Sequence, residues 1–344
     1  MALVDNKSPN VSIGSMASQD SIGTRQKPRL LDRVRNTCRV RHLSTRTEKS
    51  YVHWIRRFII YHGKRHPREL DADHVREFLT YLATDLHVAS STQNQALCAV
   101  VLLFRHVIGK DVGDFSSFQR ARRPKRLPVV LTRDEVSKVL AELTGTNKLV
   151  AQLLYGAGLR LSEALRIRVK DIDLHSRQII VRAGKGDRDR ITVLPAKAQN
   201  ALRMHLEVIR GMHNRDLAEG FGETALPDAL ARKYPGAARS WAWQYVFPSE
   251  TLSRDDKSGR LCRHHRSPAT VQRAVKDAVQ RTGIVKRASC HTLRHSFATH
   301  LIQAGYDIRT VQELLGHKNV KTTMVYTHVL NSGGVTVRSP LDVE

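Results

Sequence analysis

Three separate stretches in the first third of the chain repeat apolar residues at the spacing of one buried helix face. The residues that carry the repeats are Tyr51, Trp54, Ile55, Phe58 and Ile59, then Val75, Phe78, Leu79 and Leu82, then Leu97, Val100, Val101, Phe104 and Ile108. This spacing has the period of an α-helix and not of a strand. Because amphipathic helices are stable mainly when their apolar faces pack together, the pattern predicts a bundle of about four helices.

The length and local composition of the chain predict two folded domains. A chain of 344 residues is long for one compact core. Its N-terminus is rich in Ser, Asn, Gln and Lys without apolar periodicity, which is typical of a disordered tail. The predicted segments are a disordered tail at 1–28, an N-terminal helical domain at 29–118, a basic linker at 119–130, a second domain at 131–330 and a C-terminal tail at 331–344.

The linker combines positive charge with two prolines. Pro124 and Pro128 exclude a helix, and the surrounding cations favour a position along a nucleic-acid backbone. The linker cations expected to contact DNA are Arg122, Arg123, Lys125 and Arg126. Cations of the helical domain that are available for phosphates are Arg56, Arg57, Lys64, Arg65 and Arg105. Each of these also fits an ordinary solvated helix surface.

The second domain is predicted to be mainly α-helical with a small antiparallel sheet. Thr132 to Glu135 has the pattern of a capping box, which begins a helix. Two β-prone runs, 177–181 and 190–194, flank a turn-rich segment and predict a hairpin with Lys185 near its tip. Helical patterns occupy much of the remainder, including 270–279 and 296–303.

Composition limits the class of partner. A formal net charge of +25 favours a polyanion, and the cations are spread along the chain, which fits nucleic acid better than a membrane surface. No apolar run approaches the roughly 20 residues that cross a bilayer, and the N-terminus lacks a signal-peptide pattern. The four cysteines are scattered, so reduced thiols and a cytosolic location are expected.

A set of side chains in the second domain suggests phosphodiester chemistry. Arg160 stands far upstream of His291 and Arg294, which are one helical turn apart, and His317 and Tyr326 follow closely. Cations offset charge on a transferring phosphoryl group, and a tyrosine becomes a nucleophile when a base or an electric field activates it. The combination predicts metal-free attack of a tyrosine on a phosphodiester.

Each of these residues also has a plain structural interpretation. Arg160 suits an ion pair with Glu163, three residues further along a helix. Tyr326 suits the core between its apolar neighbours, Lys185 suits a solvated turn, and the pair His291 and Arg294 suits an ion-pair site at a helix start. Residues given no catalytic role are Glu163, His295, His300, Tyr306 and His328.

The order of these motifs resembles the tyrosine recombinase (phage integrase) family. The matching motifs are Gly158 to Glu163, Lys185 in the hairpin, His291 to Thr299, Leu314 to His317 and Thr322 to Tyr326. The resemblance covers residues 40–330 and implies a two-domain C-shaped clamp, with an N-terminal helical core-binding domain and a tyrosine-recombinase catalytic domain. It also implies a homo-tetramer on DNA in the bacterial cytosol, associated with the nucleoid. No cofactor, metal, ATP, membrane or small-molecule substrate is expected.

The resemblance implies a role for each catalytic candidate. Tyr326 would form a 3′-phosphotyrosyl intermediate. Arg160 and Arg294 would hold the non-bridging oxygens of the scissile phosphate. His291 would assist proton transfer to and from the nucleophile, and His317 would hydrogen-bond the phosphate.

Two further features follow from the same resemblance. Lys185 would protonate the departing 5′ oxygen. The segment after Tyr326, through Val329 and Leu330, would dock on a neighbouring protomer.

A second resemblance is to the integron integrases, which carry extra residues between the hairpin and His291. Here the insertion lies at about 212–248. Leu226 to Ala231 is predicted to form a short helix that ends near Pro235. The aromatic residues at 241, 243, 245 and 247 are predicted to lie on one side of an extended strand. The chain departs from the subgroup at Ala225, where an aromatic residue is expected.

The subgroup implies recognition of unpaired bases. Integron integrases act on gene-cassette sites as folded single-stranded hairpins with bulged-out bases, and on a double-stranded attachment site. Each base stacked on an aromatic side chain contributes about 1–3 kcal/mol. The candidate contacts are Lys233, Tyr234, Pro235, Trp241 and Trp243. A buried strand face explains the aromatic stripe equally well.

Other functions compete with this one. A Xer-like or phage-type tyrosine recombinase acting on duplex sites would use the same chemistry, although it has no need of the insertion. A DNA-binding relative without activity would need none of the catalytic candidates. A metal site at Arg263-His264-His265, beside Cys262, is not expected, because adjacent ligands with no second pair are poor zinc geometry.

Overall fold

The computed structural model describes residues 29–111, 128–182, 189–226, 228–255 and 258–327, with the backbone alone at 228 and 229. These residues form two compact units that divide within 112–127. Each unit has its own apolar core. Several predictions lie outside the described residues, namely the tails at 1–28 and 331–344, the linker cations Arg122, Arg123, Lys125 and Arg126, the hairpin lysine Lys185, and Val329 and Leu330.

The first unit is a helical bundle. Its helices are α1 (Leu30–Val40), α2 (Thr45–Tyr61), α3 (Ala72–Thr84) and α4 (Ser90–Leu102), which continues into π-helical turns at Leu103–Ile108. Ser44 and Asp71 begin α2 and α3 by accepting hydrogen bonds from backbone N–H groups. Phe58 lies at the centre and meets Phe78 and Phe104 edge to face, at centroid distances of 5.4 and 6.0 Å. The three apolar stretches predicted from the sequence provide this core.

The cations suggested for phosphate contact lie on the outside of the bundle. Arg56, Lys64, Arg65 and Arg105 are exposed. The guanidinium of Arg57 is half-buried over the Trp54 ring, 5.1 Å from its centroid. These positions fit phosphate contact and an ordinary solvated surface equally well.

The second unit is mainly helical around a small sheet. Its helices are α5 (Arg133–Ala141), α6 (Gly145–Gly156), α7 (Leu161–Arg166), α8 (Ala196–Ala218), α9 (Asp228–Lys233), α10 (Pro268–Arg281), α11 (Cys290–Gln303), α12 (Ile308–Leu315) and α13 (Val320–Thr323). The strands β1 (Ile172–Asp173), β2 (Gln178–Val181) and β3 (Arg190–Val193) form an antiparallel sheet in the order β1-β2-β3. A second antiparallel pair joins β4 (Ser253–Arg254) and β5 (Leu261–Cys262). The predicted pairing of the 177–181 and 190–194 runs is confirmed.

Local contacts in this unit bring distant segments together. Thr132 and Glu135 form the predicted capping box, with the Thr132 N–H 2.7 Å from the Glu135 carboxylate. Gly158 adopts a left-handed φ of +63° between α6 and α7, where a Cβ would collide with the Phe297 ring of α11. The absence of a side chain therefore lets the residues just before α7 lie against α11. Within the described ranges, no helix has both the length and the apolar composition that crossing a membrane requires.

Candidate active site

Arg294 lies at the centre of a buried cluster in the second unit. Its side chain is 1% exposed. The guanidinium donates hydrogen bonds to the backbone carbonyls of Gly158 and Leu315, at 2.5 and 2.6 Å, and lies 3.3 Å from Nε2 of His317. It therefore ties α11 to the loop before α7 and to the end of α12. Burial, together with the charge of Arg160, lowers the pKa of Arg294 to about 9.

The carboxylate of Glu163 holds the arginines of the cluster together. It accepts hydrogen bonds from Arg160 at 2.5 Å and from Arg190 at 2.6 and 3.1 Å, and Nη1 of Arg294 lies 3.5 Å away. Burial alone would raise the pKa of Glu163, but hydrogen bonds from Arg190 and the arginine charges hold that pKa at about 2. One negative charge thus faces several positive ones, which leaves the cluster with an excess of positive charge.

His317 is fixed by contacts on both ring nitrogens. Gly316 ends α12 in a left-handed conformation with φ +63° and turns the chain toward the cluster. Nδ1 of His317 lies 2.9 Å from Oγ1 of Thr323, and Nε2 faces Arg294. Burial, followed by the nearby arginine charges, lowers the pKa of His317 to about 3. The ring is therefore neutral at pH 7, and Nε2 accepts the Arg294 N–H.

Tyr326 lies in the short 3₁₀ turn Met324–Tyr326, with its ring in the core and its hydroxyl on the cluster. The residue is 3% exposed and packs against Phe297 and Leu315. Its Oη lies 2.9 Å from Nδ1 of His295. Burial raises the pKa of Tyr326, and the charges of Arg294 and Arg160 oppose that rise. The phenol is therefore neutral at pH 7, although its hydroxyl lies in the field of both arginines.

His291 lies at the exposed edge of the cluster, one turn before His295 on α11. The two imidazole rings meet edge to face at a centroid distance of 4.3 Å. Desolvation of the ring and the charges of Arg294 and Arg160 lower the pKa of His291. It is consequently neutral at pH 7 and open to an incoming ligand.

The structure brings together all the catalytic candidates that it describes. These are Arg160, His291, Arg294, His317 and Tyr326. The plain structural interpretations also hold for two of them, because Arg160 pairs with Glu163 and Tyr326 packs in the core. The catalytic roles of these residues stay predictions.

Sequence reasoning missed two members of the cluster. His295 was not singled out among the histidines, whereas in the structure its Nδ1 lies 2.9 Å from the Tyr326 hydroxyl. A signal was available, since His295 follows His291 by one helical turn and shares its face of α11. Arg190, at the start of β3, lies far from its partners in sequence and carries no such signal.

Two family comparisons cover most of the chain. Residues 129–332 match the phage integrase family, and residues 30–114 match the N-terminal SAM-like domain of phage integrases. The chain belongs to this family. Tyrosine recombinases of the family are site-specific enzymes that cleave and rejoin DNA, and this recombinase is an enzyme of that kind.

Curated relatives match over nearly the whole recombinase. The integrase/recombinases of Escherichia coli and Pseudomonas aeruginosa are each 51% identical to it over 314 residues, which cover 91% of this chain and 93% of the relative. Tyrosine recombinase XerA of Thermococcus onnurineus is 33% identical over 291 residues, covering 83% of this chain and 86% of XerA.

Solved structures share the fold of this recombinase. XerH bound to a palindromic difH substrate matches with a TM-score of 0.54 at 22% identity, covering 85% of this chain and 79% of XerH. The Tn1549 transposon integrase in complex with circular intermediate DNA matches with a TM-score of 0.58 at 16% identity, covering 86% and 94%. The prediction of a mainly helical fold with a small antiparallel sheet, an N-terminal helical domain and a catalytic domain is confirmed.

The segment at 241–247 is not the extended strand that was predicted. Trp241–Trp243 forms a 3₁₀ turn, closed by a hydrogen bond from the Gln244 N–H to the Trp241 carbonyl at 3.0 Å. The buried Gln244 amide also donates to the carbonyls of Ala238 and Ser240, at 3.0 and 3.2 Å. These bonds hold the chain in a turn, so the aromatic side chains do not share one side.

A cavity of about 1230 Å³ lies beside Trp243, a residue of the segment 212–248 that was predicted to be an insertion. Lys170 and Arg168 line it together with Tyr245 and Pro235. Nζ of Lys170 lies 3.2 Å from the Trp243 ring centroid, and Cζ of Arg168 lies 4.3 Å from that of Tyr245. The cavity wall therefore combines cations with aromatic faces.

Among the remaining candidate base contacts, Lys233, Tyr234 and Trp241 do not line this cavity. Tyr234 follows the end of α9, is 46% exposed, and has Nζ of Lys233 5.4 Å from its ring centroid. Trp241 is not among the residues that line the cavity and packs near His213, with Cζ of Arg210 5.9 Å from its centroid. The predicted helix at 226–231 corresponds to α9, which begins at Asp228 and extends to Lys233.

Arg263 has a structural contact of its own. It makes hydrogen bonds of 2.5 and 2.7 Å to the Asp216 carboxylate on α8. Both side chains are largely buried. In the part of the chain that the structure describes, no group of three or more His, Cys, Asp or Glu side chains is arranged to hold a metal ion.

Proposed function

We propose that this recombinase cleaves DNA by attack of the Tyr326 hydroxyl on a phosphodiester, which forms a 3′-phosphotyrosyl intermediate. Arg160 and Arg294 hold the non-bridging oxygens of the scissile phosphate. His291 assists proton transfer at the nucleophile. The observation that carries this proposal is the position of the Tyr326 hydroxyl in the field of arginines that share one carboxylate, Glu163.

The charge of the cluster suits a phosphodiester. A bound phosphate supplies the negative charge that Glu163 alone does not, and two guanidinium groups match the geometry of its oxygens. The Thr323 hydroxyl can donate to or accept from Nδ1 of His317, so the ring can present Nε2–H to the phosphate once Arg294 turns toward it. Lys185, from the β2–β3 hairpin, protonates the 5′ oxygen. The phosphotyrosyl bond conserves the energy of the cleaved phosphodiester, so rejoining needs no ATP.

The substrate we propose is that of an integron integrase. The enzyme integrates and excises gene cassettes at folded single-stranded hairpin sites and at a double-stranded attachment site. The cavity beside Trp243 supports this proposal, because an unpaired base finds aromatic side chains there and its phosphate finds the ammonium of Lys170. Lys233, Tyr234, Pro235 and Trp241 are further contacts.

The assembly we propose follows from strand exchange between two sites. The two domains close around DNA as a C-shaped clamp in the bacterial cytosol. Four protomers form a homo-tetramer, since each of two sites must be cleaved on two strands. The linker cations Arg122, Arg123, Lys125 and Arg126 follow the DNA backbone, and the segment after Tyr326 docks on a neighbouring protomer.

A recombination assay with purified protein tests both levels of the proposal. One cassette-type site is offered as top strand, bottom strand or duplex, without metal or ATP. The expected result is a strong preference for one folded single strand, with loss of all covalent adduct in Tyr326→Phe. Covalent adduct in Tyr326→Phe would overturn the chemical proposal.

A duplex-specific recombinase is the second candidate, favoured by the similarity to Xer proteins. Tyrosine recombinase XerD of Mycobacterium tuberculosis is 36% identical over 248 residues, which cover 68% of each chain. Equal or duplex-only activity in the same assay would retain the chemistry at Tyr326 and remove the hairpin role from the insertion. Trp243→Ala distinguishes the two candidates further, because it should impair only hairpin sites.

A further inference from the structure

His295 is in hydrogen-bond contact with the hydroxyl of Tyr326. Its Nδ1 lies 2.9 Å from Oη, and the two ring centroids are 5.5 Å apart. Among the residues that the structure describes, His291 makes no hydrogen bond to Tyr326, and its ring packs on His295 instead. The base best placed to receive the phenolic proton is therefore not the one to which the family resemblance points.

We propose that His295 is a catalytic residue, the general base that takes the phenolic proton of Tyr326 during cleavage and returns it during rejoining. This proposal rests on the proposed function of Tyr326 as the nucleophile. It leaves His291 an assisting part at the exposed edge of the site, where its ring contacts the base, His295, and not the nucleophile.

The groups around His295 keep its imidazole neutral. Burial, followed by the charges of His291 and Arg294 on the same helix, lowers the pKa of His295 to about 4. His317 and Tyr326 face it from the C-terminal segment, and both are neutral at pH 7 because burial disfavours their charged forms. With the ring proton on Nε2, the Nδ1 lone pair accepts the phenolic O–H.

Protons and electron pairs balance in both directions. In cleavage, Oη bonds to phosphorus as its proton passes to Nδ1 of His295, and the P–O5′ bond breaks as the 5′ oxygen takes a proton from Lys185. In rejoining, the 5′ hydroxyl gives its proton to Lys185 and attacks phosphorus, and the departing Oη recovers the proton from His295. Because Arg294 repels an imidazolium, the proton moves only as the P–Oη bond forms and returns readily when that bond breaks.

Substitution by asparagine separates a base from a hydrogen-bond partner. An Asn amide lies near the position of Nδ1, so His295→Asn can contact Tyr326 but cannot take its proton. The same helix offers a matched control, because Nδ1 of His300 lies 2.9 Å from Oη of Tyr155. This second pair makes no hydrogen bond to the active-site arginines among the described residues, so His300→Asn makes the same change away from the chemistry.

The assay is single-turnover adduct formation on a nicked suicide substrate, with either oxygen or bridging sulfur as the 5′ leaving atom. Sulfur leaves without a proton donor, so it isolates the nucleophile side of the reaction.

His295→Asn should be slower by roughly 100-fold or more on both substrates. Its rate should rise about tenfold per pH unit between about pH 6 and 8.5, as Tyr326 ionises to solvent. The cleavage rates of the wild type and of His300→Asn should not change with pH over that range. The more acidic 3,5-difluorotyrosine at position 326 should restore much of the lost rate.

Three results would overturn the proposal. They are cleavage by His295→Asn at the rate of His300→Asn, a level pH profile in His295→Asn, and rescue by sulfur, which would move His295 to the leaving-group side.

If His295→Asn does not fold, His295→Gln is judged by the same readouts. Adduct formation by Tyr326→Phe would mean that the proposed function fails, whereas an inactive Tyr326→Phe beside an unimpaired His295→Asn would mean that only the assignment of His295 fails.

Discussion

The guanidinium of Arg190 makes two hydrogen bonds to the carboxylate of Glu163, at 2.6 and 3.1 Å. A third, at 2.9 Å, goes to the backbone carbonyl of Leu314. The side chains of Arg190 and Glu163 are 10% and 8% exposed. This contact therefore fixes the start of β3, the helix α7 and the end of α12 relative to one another. Removing one partner of a buried ion pair leaves the other charge uncompensated, which is strongly destabilising.

Replacing Glu163 by Gln should lower the free energy of unfolding at pH 7 by about 3 kcal/mol. This is the stabilisation that corresponds to a carboxyl pKa of about 2 in the folded protein instead of 4.5. Because the folded pKa is the lower one, this contribution is present above about pH 4.5 and is lost as the pH falls toward 2. Urea denaturation at a series of pH values measures it. The difference between the wild type and Glu163→Gln should shrink on acidification.

The control for this prediction is Glu207→Gln, which changes an exposed carboxylate on α8. It should leave the free energy of unfolding within about 0.5 kcal/mol of the wild type. Equal stability of the wild type and Glu163→Gln at pH 7 would contradict the role assigned to the Glu163–Arg190 contact.

Gly316 and Gly305 provide a test of how closely Arg190 is held. Both adopt left-handed backbone, with φ +63° and +88°, so alanine at either position should cost about 1 kcal/mol. Only at Gly316 would the new Cβ meet a neighbour, 2.8 Å from Cδ of Arg190. Gly316→Ala should therefore lower the melting temperature further than Gly305→Ala and slow suicide-substrate cleavage by roughly tenfold, since Arg190 must move. Identical behaviour of the two variants would show that Arg190 is free to shift.

The helices and the hairpin could be predicted because their signals are local. An apolar face at helical spacing, such as that around Phe58, reports burial directly from the sequence. The strand predicted at 241–247 was wrong for the opposite reason. Alternating aromatic residues mimic a strand, whereas the turn is held by the Gln244 side chain, which donates to the carbonyls of Gly222 and Ala238, and the alternation does not report such contacts.

The candidate site was predictable only in part. The motifs containing Arg160, Arg294 and Tyr326 carried a family resemblance, so their convergence could be expected from that resemblance. No spacing relates His295 to Tyr326, which is 31 residues away, and the chain contains 17 histidines. Which of them meets the phenol is decided by how the last turn folds back on α11, and a sequence pattern does not report that.

Thiol reactivity should distinguish Cys98 from the other cysteines. Cys98 is exposed on α4, whereas Cys38, Cys262 and Cys290 are buried. Burial raises the pKa of Cys290 to about 11 and also raises the pKa of Cys38 and Cys262. Since the thiolate is the reactive form, a native titration with a thiol reagent should show one fast-reacting group, with the rest appearing only in denaturant. Cys98→Ser should abolish the fast phase, and a second fast group would contradict the burial.

Arg168 should stabilise the conformation of the predicted insertion without taking part in DNA cleavage itself. Its guanidinium donates hydrogen bonds to the carbonyls of Trp243 and Ala225, at 2.5 and 2.8 Å, and to the Tyr245 hydroxyl at 3.2 Å. In Arg168→Met these partly buried acceptors lose their hydrogen-bond donor, which should lower the local stability by up to about 1–3 kcal/mol for each acceptor. Amide hydrogen exchange should accelerate at 223–226 and 243–246. Cleavage of hairpin sites should fall by roughly tenfold or more, while cleavage of duplex sites is retained.

Arg210→Met is the control for Arg168, because the Arg210 guanidinium also lies over a tryptophan, 5.9 Å from the Trp241 centroid, but is exposed on α8. It should change neither hydrogen exchange in the insertion nor the preference between sites. Equal loss of hairpin and duplex cleavage in Arg168→Met would mean that the insertion supports the catalytic domain as a whole. Loss confined to hairpin sites would place substrate selection at the wall of the cavity that Arg168 holds together.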